Sequence, residues 1–213
     1  MIYFIIFFIV CYIIGSIPNS YYFGKYFLKT NILNQGSGHS GLSNLYIFLS
    51  YKKILLLLFF DVILKGTIPA YLLYNFYSEY IISLLFIIAG HNWSFLIKFK
   101  GGKGLAVSIG IIIGLNYKLF LILLLIFMFF WILLKFKDSS FPWIISFLLL
   151  PFIYIVDYKF YNFLFYDKDF NLFVIILMIF ILLLFRRSLG NRFIDIFNYK
   201  ILLSRLFFDR ESR

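Results

Sequence analysis

The strongest constraint in this sequence is a series of apolar runs of helix length. They are Met1–Ile14, Ile54–Tyr74, Tyr80–Ile97, Leu105–Leu115, Leu119–Leu134, Phe141–Val156 and Leu172–Phe185. Hydrophobic residues make up 63% of the 213-residue chain and the mean hydropathy is +0.97, more than a water-soluble core needs. In hydrocarbon every peptide group must find its bond within the protein, which leaves helices and closed barrels. Barrel strands alternate apolar and polar residues, and these runs do not. The expected fold is therefore an all-α integral membrane protein, a single membrane domain over 1–213. Residues 1–185 form the bundle and 186–213 a cytoplasmic tail. Some runs are short: fourteen residues rise about 21 Å, against roughly 30 Å of hydrocarbon, so flanking aromatics or neighbouring protein must cover the rest.

Basic residues set the number of spans and their direction. If Asn116-Tyr117-Lys118 divides two spans, there are seven in all, and sixteen Lys and Arg fall on one side against three on the other. If Leu105–Leu134 is one span, the balance is nine against nine. The positive-inside rule favours the first arrangement, a seven-transmembrane-helix bundle with its N-terminus outside and its C-terminus cytoplasmic. The first run lacks a basic leader and a small-residue cleavage pattern, and reads as a retained helix. It continues through Gly15-Ser16-Ile17-Pro18-Asn19-Ser20 to about Phe23, and such a polar interruption belongs against the bundle or a cavity.

The net charge of +11 fits cytoplasmic loops on anionic lipid, not nucleic acid. The single cysteine, Cys11, lies in an apolar run and has no partner for an internal disulfide. Two histidines, His39 and His91, and no zinc-spaced Cys/His cluster point to no metal.

Two stretches have the composition of an anion cradle. Lys98–Gly104 (KFKGGKG) holds three lysines and three glycines in seven residues. Glycine lets backbone N–H groups turn toward a ligand, and lysine adds point charge. Gly36-Ser37-Gly38-His39-Ser40-Gly41, in a long polar connection from Lys25 to Lys53, is the second. Each also reads as an ordinary inter-helix loop. Asp61 and Lys65 sit four residues apart on one face of the second span, as structural glue or as part of a site. Arg192–Arg213, with Arg205 among its basic residues, reads as an amphipathic helix on the lipid surface.

Taken together these residues resemble the bacterial acyl-phosphate:glycerol-3-phosphate acyltransferase family (PlsY type). The resemblance is carried by Gly15-Ser16-Ile17-Pro18, Gly36-Ser37-Gly38, Gly41, Ser43-Asn44, Lys65-Gly66-Thr67-Ile68-Pro69, Gly90-His91 and Phe99–Gly104, in family order. Ser140 falls at the family's turn serine and Arg186 at its terminal arginine. The chain departs where the family has arginine (Leu33 and Ile47 here), loop asparagine (His39), and a terminal histidine and asparagine (Arg187 and Gly190).

The resemblance implies a multi-pass enzyme of the bacterial plasma membrane, its site facing the cytoplasm, acting in phospholipid synthesis. It would move a fatty acyl group from acyl phosphate to glycerol 3-phosphate, giving lysophosphatidate, with no cofactor. Its partners would be the two substrates, the bilayer and the enzyme that makes acyl phosphate. The expected catalytic residues are Ser37, Lys103, Ser140 and His39, the last as one of two candidates for taking the proton; the donor's own phosphate is the other. The expected substrate-binding residues are Gly36, Gly38, Gly41, Asn44, Lys100, Gly101, Gly102, Gly104, Arg186 and Arg187. His91 is expected to order the start of the loop. Two other classes stay open: a family member that binds lipid or acts as a scaffold without turnover, and a small transporter of a phosphate-bearing solute.

Overall fold

A computed structural model of the chain describes residues 2–35, 38–46, 48–135, 139–161, 170–189 and 204–205. The first run is α1 (Ile2–Ser16), and a break at Ile17-Pro18 separates it from α2 (Asn19–Phe27). Proline has no N–H to give a helix, and at the break the Ile17 carbonyl turns to accept from Asn19 N at 3.0 Å, which leaves room for a second donor. That carbonyl accepts from Lys65 Nζ. Lys65 in turn lies 3.2 Å from Asp61, and Asp61 accepts from the Asn19 amide at 2.8 Å. The buried pair therefore clamps the break shut, which is the structural-glue alternative of the sequence reading.

The polar connection is more ordered than a loop. After α2 come a 3-10 turn at Ile32–Asn34, a short α3 (Leu42–Leu45) and the start of α4 (Tyr51–Leu58). Ile32, Leu45, Leu49 and Leu57 bury themselves together as a small core of their own. The apolar residues scattered through this connection are enough to collapse it. The second span runs through α4, a π-helical segment Phe59–Thr67 carrying Asp61 and Lys65, and α5 (Ile68–Phe76).

The third span closes with α6 (Leu84–Asn92). It is followed by α7 (Leu105–Leu115), α8 (Tyr117–Leu134), α9 (Ser140–Val156) and α10 (Phe170–Leu189). Asn116 ends α7 and caps α8, its side chain accepting from Lys118 N at 2.8 Å, so Leu105–Leu134 is two helices. The main core draws on α1, α5, α6, α7, α8, α9 and α10.

Among the described residues six segments are long and apolar enough to cross a membrane: Ile2–Phe27 (across the break), Tyr51–Phe76, Ser78–Ile97, Tyr117–Leu134, Ser140–Lys159 and Phe170–Leu189. The seventh apolar helix, α7, has 11 residues and rises only about 16 Å.

Glycine sets two crossings. At Gly15 and Gly90 a methyl group would run into the Ile87 and Tyr12 carbonyls respectively, so α1 and α6 touch backbone to backbone. At Gly66 a Cβ would stand 2.7 Å from the Val107 carbonyl oxygen and 2.8 Å from Gly110 Cα, which brings α7 against the π-helical segment. Small residues at helix crossings are the usual basis of packing in lipid, where the hydrophobic effect does not drive helices together.

Candidate active site

The lysine–glycine loop leaves α6 through the 3-10 turn Phe95–Ile97 and enters α7. Lys98, Phe99 and Gly104 all have positive φ, at 54°, 61° and 82°. Two successive side-chain-bearing residues in the left-handed region carry strain that the surroundings must hold. Part of the hold is His91: its carbonyl accepts from Gly102 N at 3.0 Å, and its ring lies against Gly102 where a Cβ would otherwise be. This is the loop-ordering role expected of His91.

Arg186, near the end of α10, supplies the rest. Its Nε donates to the Gly102 carbonyl and one terminal nitrogen to the Gly101 carbonyl, both at 3.0 Å. The guanidinium also lies 5.7 Å from the Trp93 ring centre. The side chain is 1% exposed, so its charge is spent inside the protein, where hydrogen bonds to charged groups are strongest.

The same guanidinium reaches the other glycine loop. A terminal nitrogen of Arg186 stands 3.4 Å from His39 Nδ1. Arginine only donates, so Nδ1 is the acceptor and the ring proton belongs on Nε2. A Cβ built on Gly41 would be 3.9 Å from Gly102 Cα, which places the two loops side by side although sixty residues of chain separate them. Gly38 has φ +68°, a turn that suits glycine. Asn44 organises this loop from below: its amide nitrogen faces the carbonyls of Ile32, Gln35 and His39 at 3.0, 3.0 and 3.1 Å. Gly36 and Ser37 lie outside the described residues.

Beside the loops lies an apolar cavity lined by Leu105, Trp143, Ile144, Phe147, Phe180, Leu183 and Leu184, with Lys103 and Arg187 as its charged members. Ser140 is buried at the first position of α9, one turn before Trp143 and Ile144. Arg187 donates from Nε to the Arg205 carbonyl at 2.7 Å. Lys100 is exposed. The structure thus gathers Gly38, His39, Gly41, Gly101, Gly102 and Arg186 in one place, with Lys103 and Arg187 at the adjoining cavity.

Three residues escaped the sequence reading. Trp93 lies by Arg186. Asn92 is fully buried beside Gly104, with Oδ1 2.6 Å from where a Cβ would stand there, and its amide atoms have no hydrogen-bond partner among the described residues. Both continue the Gly90-His91 pair, and that continuity was the available signal. Arg205, read as a lipid-facing residue of the tail, is instead buried against the end of α10. The rest of that amphipathic tail lies outside the described residues.

The helices and their two joined glycine loops define a multi-pass helical membrane protein with a basic polar cleft beside an apolar cavity. The sequence matches the family model for glycerol-3-phosphate acyltransferase over residues 5–193, and the chain belongs to that family, an enzyme family of acyl transfer. It is 38% identical over 149 residues to the glycerol-3-phosphate acyltransferase of Staphylococcus haemolyticus (strain JCSC1435), covering 65% of this chain and 72% of that protein. It is 41% identical over 122 residues to that of Lactiplantibacillus plantarum (strain ATCC BAA-793 / NCIMB 8826 / WCFS1), covering 55% and 58%. The second alignment therefore spans somewhat over half of that relative's length. The fold is similar to a crystal structure of PlsY (YgiH), an integral membrane glycerol 3-phosphate acyltransferase, in its glycerol 3-phosphate form. The TM-score is 0.72 at 24% identity, over 99% of this chain and 94% of that one. The lysophosphatidic acid form of the same protein gives a TM-score of 0.70.

Proposed function

We propose that this chain transfers a fatty acyl group from acyl phosphate to the first hydroxyl of glycerol 3-phosphate, releasing lysophosphatidate and phosphate. The observation that carries this reading is the meeting of two glycine loops beside an apolar cavity that has Lys103 and Arg187 in its wall. The cavity is small, about 20 Å³, so it matches the junction of the two parts of the donor: a phosphate at the polar edge and the first carbons of the acyl chain against Trp143, Phe147 and Phe180.

The acceptor oxygen attacks the acyl carbon and forms the new ester bond. The bond from that carbon to the phosphate oxygen breaks, and the electron pair leaves with the phosphate. The hydroxyl proton goes to the departing phosphate, which is a good leaving group, so no covalent enzyme intermediate is needed. Lys103 stabilises the charge on the tetrahedral intermediate and the leaving phosphate. Ser37 and Ser140 supply hydroxyl donors, and Gly36, Gly38, Gly41 and Gly104 let backbone N–H groups close on the substrates. Arg187 and Lys100 draw in the two phosphates. Arg186 and Asn44 hold the loops, given the carbonyls they already bond. With Nδ1 accepting from Arg186, His39 fits loop ordering better than proton removal.

The bundle crosses the membrane seven times, α7 being the short span, packed along the π-helical segment and α5 of the second span. Its basic loops and its site face the cytoplasm, as the charge asymmetry favours. The test is purified protein in lipid with acyl phosphate and labelled glycerol 3-phosphate, beside Lys103→Ala. Lysophosphatidate that disappears in the variant supports the reading. Acyl phosphate bound but never consumed would replace it with a lipid-binding family member lacking turnover.

A further inference from the structure

The two described residues of the tail, Ser204 and Arg205, sit at the end of α10. The last carbonyls of a helix have no partner within it. Arg205 supplies one, its terminal nitrogen lying 3.2 Å from the Leu189 carbonyl and 3.4 Å from that of Ser188. Its own carbonyl then accepts from Arg187 Nε at 2.7 Å. Arg205 is 4% exposed and Arg187 7%, and Arg187 shares the apolar cavity with Lys103. The positive charge of Arg205 also acts on Arg186. The guanidinium of Arg187 is thus pinned from behind by the tail while its side chain lines the cavity.

We propose that Arg205 is a positioning residue: by docking the tail on α10 it fixes Arg187 beside Lys103 and so sets the affinity for the phosphate of the acyl donor. This rests on the acyl-phosphate reading of the cavity. An arginine free to rotate must be ordered by each ligand, and a preorganised one need not. Because donor and transition state both carry that phosphate, the gain falls on KM more than on kcat.

The experiment uses the full chain in phosphatidylglycerol vesicles, as wild type, Arg205→Ala, Arg205→Lys, Arg187→Ala and the Arg187→Ala/Arg205→Ala double variant. The expected result for Arg205→Ala is a KM for acyl phosphate raised about tenfold, on the scale of one charge-assisted hydrogen bond. Its kcat and its KM for glycerol 3-phosphate stay within about twofold. Arg205→Lys, which keeps one donor for the carbonyls, falls between. The double variant is no worse than Arg187→Ala alone, because Arg205 acts on the donor only through Arg187. An unchanged KM in Arg205→Ala, or effects that multiply in the double variant, overturns the proposal. Binding of a non-transferable acyl phosphonate separates this idea from its parent. Phosphonate binding weakened tenfold in Arg205→Ala, with no lysophosphatidate from any form, supports the positioning role and removes the acyltransferase reading. If Arg205→Ala does not fold, Arg205→Lys and its phosphonate affinity decide, an unchanged value overturning the proposal. Wild-type protein that neither turns over nor binds the phosphonate overturns both.

Discussion

Two buried cations hold broken chain in this molecule, and they do it in opposite ways. Lys65 binds the Ile17 carbonyl at the break and is matched by Asp61 one turn away, itself bonded to Asn19. Arg186 binds the carbonyls of Gly101 and Gly102 and faces a histidine and an indole. The first is a closed ion pair inside a membrane helix, where an unmatched charge costs about 2.5–3.5 kcal/mol on insertion scales. The second presents positive charge at the junction of two glycine loops. One is arranged to hold helices, the other to hold the loop proposed to receive a phosphate. Substitutions at the two places should therefore separate stability from activity.

The largest effect is expected at Lys65→Ala. It leaves Asp61 buried without its cation and takes one of the two donors from the Ile17 carbonyl, which should cost about 3–5 kcal/mol of stability. Thermal unfolding in detergent would read it as a large fall in Tm. The paired Lys65→Met/Asp61→Leu variant should recover most of that loss; if it does not, the pair has a role beyond clamping the break. Lys103→Ala is the converse. Its side chain lines a cavity, so Tm should stay within about a degree, while kcat should fall about 10²–10³-fold, the usual loss when one transition-state donor is removed. Equal melting shifts in the two variants would dissolve the distinction between clamp and site.

Arg186→Ala comes next and should show both behaviours. It strands two buried carbonyls, at about 1–3 kcal/mol, and loosens the loop, so turnover falls with a moderate drop in Tm. Arg186→Lys should restore little of either, because a lysine cannot bridge two carbonyls and a ring nitrogen in one planar fork.

The sequence made the helices legible because lipid forces apolar runs to be helical. Asn116-Tyr117-Lys118 was readable as a break because only two spans there put sixteen basic residues on one side against three on the other. The Asp61–Lys65 spacing also announced a pair on one face. What could not be read was partnership across the chain. Nothing in one dimension says that Lys65 answers Ile17, or that Arg186 meets both Gly101 and His39. The small core under the glycine loop was hidden for a related reason. Ile32-Leu33 and Leu45-Tyr46-Ile47-Phe48-Leu49 are short apolar islands in a polar stretch, and no period reveals that Ile32, Leu45 and Leu49 converge. Arg205 was misplaced because an alternating basic–apolar pattern fits a lipid surface and a protein surface equally.

The smallest effect, and the sharpest test of the loop-holding half of the comparison, is His39→Asn. A base must offer a lone pair to the acceptor hydroxyl. In this structure Nδ1 receives a hydrogen bond from Arg186, which leaves the proton on Nε2. The ring then serves as an acceptor for the guanidinium, and an asparagine side-chain oxygen can serve in the same way. His39→Asn should keep kcat and both KM values within about threefold, since one neutral acceptor for the guanidinium is exchanged for another. Its pH–rate profile near neutrality should overlay that of the wild type. His39→Leu, which removes the acceptor, should be the worse variant by about tenfold, because a buried donor of Arg186 is then left unmatched. If His39→Asn instead abolishes a pH dependence that the wild type shows near neutrality, the histidine takes the proton. Arg186 would then act on the reaction through it, and the line drawn between holding the loop and doing the chemistry would pass through a single contact.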